Sequence, residues 1–551
     1  MLQLPNLRIT DNTSLTLDVV ACVGVIGTIV WVYLRKSDSR LPLPPSPPTW
    51  RLQGHLLPPR DPSLTLAQWI DQYGPLITIR SGIQNTVIIG RHKAAVDIME
   101  KQGRALADRP RLVAAGEILT RGQSLVFIHV GDRLRRMRRF VVAILVLHMH
   151  LQPKSAETYE PLQMSQARSL ILNILDDPSN FQNHAISYAA ATILQVAYGK
   201  TSLTSATDPE VKEARHLISR LRTVLRPGAY CVESIPWLKF LPWYAPELRD
   251  DYKRATRLYT DQLNCVKLQM HRNEDIGPSF SKHLLENGHL YDLTDMEMAY
   301  LAGGFFGAGT ETVRRLFVFF DDYIPEVGQQ TATAICTVLM AAAHFPEEQA
   351  KVQAELDAVI GRGRAPTFAD KPSLPHLEAF ISEALRWRPL VPFGLPHRTT
   401  EDVIWASENY CIPAGTTVFG NQWSISRDPE VYPDPDAFKP QRWIDSQGRL
   451  RDDLAFFVYG FGYAQVNTSR TGHDSLYPDN FLNLMKCHRS VFINSLLSLW
   501  AFQLSLDPTK PQDDMGFSNT FMPNVPCAIE FQARVPEVEL RHMMQNYPEA
   551  G

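Results

Sequence analysis

The chain has 551 residues, 44% of them hydrophobic and 21% charged, with a formal net charge of −3. That length admits one large domain with a tail or several average ones, and the near-neutral balance gives no reason to expect nucleic acid as a partner. Seven cysteines (Cys22, Cys231, Cys265, Cys336, Cys411, Cys487 and Cys527) include no Cys-x-x-Cys pair, which argues against a disulfide framework or a zinc site and suits a reducing compartment.

Leu15 to Leu34 is about twenty residues with one charge, Asp18, long enough to span a bilayer. Arg35, Lys36 and Arg40 follow at once, so the positive-inside rule keeps them cytosolic and sends residues 1–14 to the lumen. A cleaved signal peptide is the competing reading; no small-x-small cleavage site follows the span. Asn12-Thr13-Ser14 is a glycosylation sequon on the luminal side. Residues 35–50 form a basic and proline-rich linker. Its Leu41-Pro-Leu-Pro-Pro-Ser-Pro-Pro48 run predicts a stiff polyproline spacer. Residues 51–551 then form the body.

Leu76–Arg80 and Thr86–Ile89 flank Ser81-Gly82 and predict a β-hairpin. A helix is expected from about His92 to Gln102. Gly131 to Arg139 carries five arginines, including Arg138. Alone they read as a solvated helix face or a dock for an acidic partner. Residues 158–268 show helical apolar spacing broken at Pro227, Pro236, Pro242 and Pro246.

Met298 to Gly307 is an apolar, glycine-rich helix leading into Ala308-Gly309-Thr310-Glu311-Thr312. Small residues let a flat cofactor approach a helix backbone. A mid-helix Thr hydroxyl can bond a carbonyl one turn back and open a kink, and an adjacent carboxylate can relay protons. A helix with a polar kink is the plainer reading of these residues alone. The helix resumes at Thr331. The intervening 313–330 contains Pro325 and Gly328, both helix breakers, and reads as an inserted segment, a translated intron.

Glu383 and Arg386 share one face of a helix closed by Pro389. A lone Glu-x-x-Arg is a weak signal, but Phe438-Lys-Pro-Gln-Arg442-Trp443 follows at a characteristic distance. Pro396-His397-Arg398 precedes a hairpin expected from Val403 to Val418, with Ile412–Gly415 as its turn. Last come Tyr459-Gly460-Phe461-Gly462, a polar segment 463–486 that also reads as inserted, Cys487 just before the expected helix, and an apolar run from Arg489 to Phe502.

Taken together these motifs resemble the cytochromes P-450, the haem-thiolate monooxygenases, and most closely their fungal membrane-bound microsomal type. The resemblance runs from the anchor to about Val535. It implies a mainly α fold with small β-sheets, one large catalytic domain behind a single N-terminal transmembrane helix, in the endoplasmic reticulum membrane with the catalytic domain cytosolic. It implies haem (iron protoporphyrin IX, ligated by a Cys thiolate), with Arg138 and Arg398 on its propionates and Glu311 and Thr312 guiding protons. Glu383, Arg386 and Arg442 would be a structural triad beneath the haem. An NADPH-dependent cytochrome reductase would supply electrons, and one atom of O2 would enter a small hydrophobic substrate of secondary metabolism or xenobiotic oxidation.

The chain departs from the family at two points. Leu134 stands where a Trp usually faces a propionate. The family's aromatic-x-x-Gly-x-Arg-x-Cys-x-Gly wants Arg at 464 and Cys at 466, where Ala464 and Val466 stand. Three readings follow: a working enzyme using Cys487, a non-catalytic and haem-deficient membrane protein that keeps the fold, or a monooxygenase mistranslated from its gene. His488 could ligate instead, but imidazole would not support the same oxygen chemistry.

Overall fold

A computed structural model describes residues 41–49, 54–55, 57–58, 62–81, 84–137, 159–201, 204–224, 229–233, 235–274, 277–310, 330–394, 396–451, 453–454, 481–509 and 528–547, with Gly24 and Gly27. Asn12, the body of the Leu15–Leu34 span, Arg138, Glu311, Thr312 and residues 463–480 lie outside the described residues. Among the described residues no helix is long and apolar enough to cross a membrane.

The mainly helical body with small sheets expected from the sequence is what is observed. Its longer helices are α1 (Pro62–Tyr73), α2 (Glu160–Asp176), α3 (Phe181–Tyr198), α4 (Pro209–Val224), α5 (Pro246–His271) and α6 (Phe280–Asn287). They continue with α7 (Asp295–Thr310), α8 (Gln330–His344), α9 (Pro346–Val359), α10 (Pro375–Trp387), α11 (Phe481–Ala501) and α12 (Glu537–Gln545). Proline opens α4, α5, α9 and α10, where its missing N–H costs nothing because the first helical amides have no intrahelical acceptor. The principal core joins α2, α3, α8, α9, α10 and α11 through residues such as Ile171, Phe181, Ile335, Phe380, Phe492 and Trp500.

The hairpin forms as expected: β1 (Leu76–Ser81) pairs antiparallel with β2 (Gln84–Ile89), Leu76 opposite Ile89. The region around 92–102 instead divides into a short α-helix, His92–Ala95, and a π-type stretch, Val96–Glu100. The later strands are β3 (His397–Arg398), β4 (Val403–Trp405), β5 (Tyr410–Ile412) and β6 (Thr417–Gly420). The expected long hairpin is shorter: β4 pairs with β5, while β6 leaves it to run parallel to β2 and antiparallel to β3. Gly415, at φ +81°, makes a real bend, but one that redirects the chain to the other sheet. β7 (Phe502–Leu506) and β8 (Ile529–Ala533) close a third, two-stranded sheet.

The proline-rich run is docked rather than free. Pro45 O accepts the Thr78 N–H at 2.8 Å, Pro44 O accepts the Thr78 hydroxyl at 2.9 Å, and Pro42 O accepts the Cys411 N–H at 2.9 Å. Proline has no amide to donate, but its carbonyls remain good acceptors for a strand edge.

Gly394, at φ +75°, brings the end of the loop after α10 onto β6. A Cβ there would lie 2.2 Å from the Gly420 carbonyl oxygen, a backbone atom that cannot swing away. Gly394→Ala is therefore expected to destabilise the protein by about 1–3 kcal/mol, read as a lower urea midpoint with an unchanged denaturant slope.

Candidate active site

The expected triad assembles. Both Glu383 and Arg386 are fully buried on α10, and Arg442 reaches them from the 3-10 turn Pro440–Trp443. Arg386 grips Glu383 bidentately, Nε to Oε2 and Nη2 to Oε1, each at 2.8 Å. Arg442 Nε donates to Oε1 at 3.1 Å, the Lys439 N–H to Oε1 at 2.8 Å, and Trp443 Nε1 to Oε2 at 2.9 Å. The arginines' remaining N–H groups go to backbone: Arg386 to the carbonyls of Ser426, Pro435 and Ala437, Arg442 to those of Pro433, Asp434 and Ala437. Planar guanidinium groups suit such a divided task. Burial by itself pushes the Glu383 carboxyl up, but the hydrogen bonds and charges of Arg386 and Arg442 and the Lys439 N–H outweigh it and hold the pKa below the usual value.

Two of the five arginines at 131–139 also find a role. Arg133 and Arg136, on the helical turns 132–137, each place a guanidinium nitrogen 2.9 Å from Oε1 of Glu297. The other oxygen, Oε2, accepts the Thr294 N–H and hydroxyl at 3.1 and 3.2 Å. Glu297, in the first turn of α7, is buried. Burial raises its carboxyl, yet the Thr294 N–H and the two arginines lower it further, so its pKa too lies below the usual value. This carboxylate ties the turns that lead to Arg138 onto α7, the helix that leads to Glu311 and Thr312. The sequence reading missed it, because one acid in the first turn of a helix is generic.

Along α7 the glycines differ. A Cβ at Gly303 would overlap the Tyr259 ring at 2.3 Å, whereas one at Gly304 would meet no atom within 4 Å. One side of this apolar helix is thus sealed against α5 and another is bare of side chain. Arg398 lies on β3 opposite Thr417. Its guanidinium sits 3.6 Å from the Asp108 carboxylate and 3.4 Å from the Gly415 carbonyl, half exposed and apart from the triad. Neighbouring His397 Nδ1 lies 3.0 Å from the Leu106 carbonyl, and Arg109 donates to the Pro396 carbonyl at 2.6 Å.

Helix α11 begins at Phe481, well before Arg489. Cys487, expected just before the helix, is therefore inside it, at the seventh residue. The polar reading of 463–486 concealed that Phe481, Leu482, Leu484 and Met485 carry helical apolar spacing.

A sequence model of the cytochrome P-450 family matches residues 44–315 and 328–464. The chain belongs to the cytochrome P-450 family. It is 40% identical to cytochrome P-450 monooxygenase 113 of Postia placenta over 527 residues, 95% of this chain and 98% of that one. It is also 40% identical to monooxygenase 64 of the same fungus, over 94% of this chain and 97% of the relative. A cytochrome P-450 monooxygenase of Armillaria gallica is 34% identical over 86% and 87% of the two chains. The chain is thus an enzyme of the P-450 monooxygenase class, and the family implies a haem cofactor. The matched stretches skip residues 316–327 and end at Ala464.

The described residues fit the haem plane better than they fit its iron. The bare flank of α7 at Gly304 suits the close approach of a flat ring, and Arg398 suits a propionate. Leu134 is buried, and its side chain has no N–H to offer a carboxylate. For the iron, Cys487 sits where the backbone amides are committed to helical bonds, whereas a ligating thiolate relies on neighbouring N–H donors. Cys231 and Cys265 are exposed, and Cys411 is buried in β5.

Glu383→Gln is expected to cost about 3–5 kcal/mol in urea denaturation, because it strands Arg386 and Arg442 without their counter-charge. The pH dependence has a definite sign. A carboxylate whose folded pKa is depressed contributes stability above its unfolded pKa and loses it as pH falls through the folded pKa. Stability of the wild type should therefore fall as the pH drops below the ordinary glutamate value of 4.5, and this slope should be shallower in Glu383→Gln.

Proposed function

We propose that this chain is a haem-dependent monooxygenase. It inserts one atom of O2 into a C–H or C=C bond of a small hydrophobic substrate, in secondary metabolism or xenobiotic oxidation. The other oxygen atom leaves as water, taking two protons from solvent and two electrons delivered from NADPH through a membrane-bound cytochrome reductase. The observation that carries this reading is the near full-length similarity to fungal P-450 monooxygenases. Bound haem supplies the oxygen-activating chemistry. Arg138 and Arg398 are the residues assigned to its propionates and Cys487 to its iron. The Thr312 hydroxyl and the Glu311 carboxylate hold and pass protons to the oxygen being reduced. Glu383, Arg386 and Arg442 take no part in turnover; they keep the core beneath the site in one arrangement. Leu15–Leu34 anchors the chain once in the endoplasmic reticulum membrane, with Asn12 luminal and the body cytosolic. That orientation supports supply of apolar substrate from the bilayer and an electron donor on the cytosolic side.

A second reading is favoured by one specific observation, the placement of Cys487 within α11 while Val466 occupies the family's ligand position. On that reading the chain is a haem-deficient membrane protein that keeps the fold. A reduced carbon-monoxide difference spectrum of the chain as written separates the two. A thiolate-type band lost in Cys487→Ala supports the enzyme, and no band in the wild type supports the haem-deficient protein. Where the band is present, Thr312→Ala is expected to lower kcat by about a hundredfold. Sequencing the transcript across Thr312 and Gly462 tests whether 313–330 and 463–486 are retained introns.

A further inference from the structure

Strand β1 lies at the edge of its sheet, which runs β1-β2-β6-β3, so one side of it has no neighbouring strand to answer its backbone groups. The proline-rich run answers some of them, through Pro45 and the Thr78 N–H. At Arg80 the work passes to His55, which uses two different parts of itself. Its backbone N–H donates to the Arg80 carbonyl at 2.8 Å, and its ring Nδ1 accepts the Arg80 N–H at 2.9 Å. The other ring nitrogen, Nε2, lies 2.7 Å from the Pro47 carbonyl oxygen. The Thr49 hydroxyl donates to the Gly54 carbonyl at 3.1 Å, closing the return of the chain from Pro47 to His55. The Trp69 indole of α1 meets the imidazole edge-on, ring centres 5.7 Å apart.

These partners leave the ring one protonation state. An amide N–H can only donate, so Nδ1 must keep its lone pair. A proline carbonyl can only accept, so Nε2 must carry the proton. That is the neutral imidazole in a single tautomer. An imidazolium would set an Nδ1–H against the Arg80 N–H, two donors facing each other. The ring is half-buried, so protons from solvent reach it. Its contacts among the described residues are Pro47, Arg80 and Trp69, none of them an acid. Residues 41–49 carry no titratable side chain. The one charged side chain of β1 is Arg80, an exposed cation. On α1 the titratable groups are Asp71, paired with Arg91, and Tyr73, packed with Trp69 against an apolar layer.

We propose that His55 is a proton-sensitive latch between the proline-rich run and β1. With the ring neutral, the return from Pro47 to His55 is fastened to the edge of the strand. With the ring protonated, the Arg80 N–H loses its acceptor and the return comes away, while Pro42, Pro44 and Pro45 keep partners that do not titrate. Histidine is the side chain that gains a proton as pH falls from about 8 to about 5, so the latch opens in mild acid. On the proposed anchoring this run joins the membrane span to the body, and the latch sets how firmly the join is held. The latch needs neither haem nor turnover and stands apart from the monooxygenase reading.

The test is residue-resolved hydrogen exchange on the full chain, each rate divided by the intrinsic rate at the same pH. Between about pH 7.5 and about pH 5.5 the protection of the Arg80 amide should fall by about tenfold or more. The Thr78 amide, bonded to Pro45, and the Gly90 amide, bonded to the Pro75 carbonyl at 2.9 Å, should keep theirs. In His55→Asn an amide oxygen takes the place of Nδ1 and does not titrate, so Arg80 should be protected equally at both pH values. In His55→Ala the Arg80 amide should be poorly protected at both. Should the Ala variant fail to fold, the Asn variant decides alone. In the wild type at about pH 7.5, nitrogen NMR of labelled histidine should show the His55 proton on Nε2. A proton on Nδ1, or Arg80 protection that does not change with pH, would overturn the latch. The same pH dependence in His55→Asn would assign the effect to another group and overturn it too. Loss at Thr78 together with Arg80 would mean that acid loosens the whole strand edge, which overturns a local latch. Failure of the monooxygenase reading shows separately, as a missing carbon-monoxide band in the wild type.

Discussion

One buried carboxylate holds the loop from Ser426 to Trp443 against α10. Glu383 has two oxygens and no access to water, so its negative charge survives only if protein groups replace the whole hydration shell. Five donors do so: three from Arg386 and Arg442, one from the Trp443 indole and one from the Lys439 backbone. The two arginines are fixed in turn by carbonyls of residues 426–437. The loop from Ser426 to Trp443 has little regular structure, yet it cannot drift without stranding an arginine. Phe345 stacked on Phe438 at 4.2 Å and the edge contact of Phe438 with Phe380 extend the same lock into the apolar core.

The same device recurs at smaller scale. Glu297 joins the 132–137 turns to α7, and Glu355 on α9 accepts the His376 and Leu377 amides that open α10, at 2.9 and 3.0 Å. Glu355 satisfies the orphan amides of another helix's start, whereas Glu297 caps the start of its own helix and takes its remote partners from Arg133 and Arg136. Local capping alone would hold one helix; a remote cap holds two elements in fixed relation. For a protein whose chemistry depends on several helices meeting around one ring, this is an economical way to set their spacing.

Much of this was legible in the sequence, and the failures have physical causes. Glu383, Arg386 and Arg442 could be read because Glu-x-x-Arg followed by Phe438-Lys-Pro-Gln-Arg442 resembles the family's pattern; the charged residues alone are a weak signal. The β1–β2 hairpin could be read because alternation and a Ser-Gly turn are local. The β4–β6 region was misread because turn chemistry at 412–415 reports that the chain bends, not which sheet it bends toward. Glu355 was invisible because its partners are backbone amides, which every residue carries, and Glu297 because an acid in the first turn of a helix is generic. The start of α11 was placed too late because polar residues before it masked four apolar ones at helical spacing. The ligand region failed for a different reason: Ala464 and Val466 are the wrong chemistry for it, and no pattern supplies a missing sulfur.

The docked prolines bear on geometry outside the protein. Pro42, Pro44 and Pro45 are fastened to β1 and β5, so only seven residues, 35–41, separate the proposed anchor from the first docked proline in the sequence. Seven extended residues reach no more than about 25 Å. On the proposed anchoring the body would be held close to the bilayer with its β1 edge toward it, so that the side of the molecule facing lipid would be chosen by a few carbonyl hydrogen bonds.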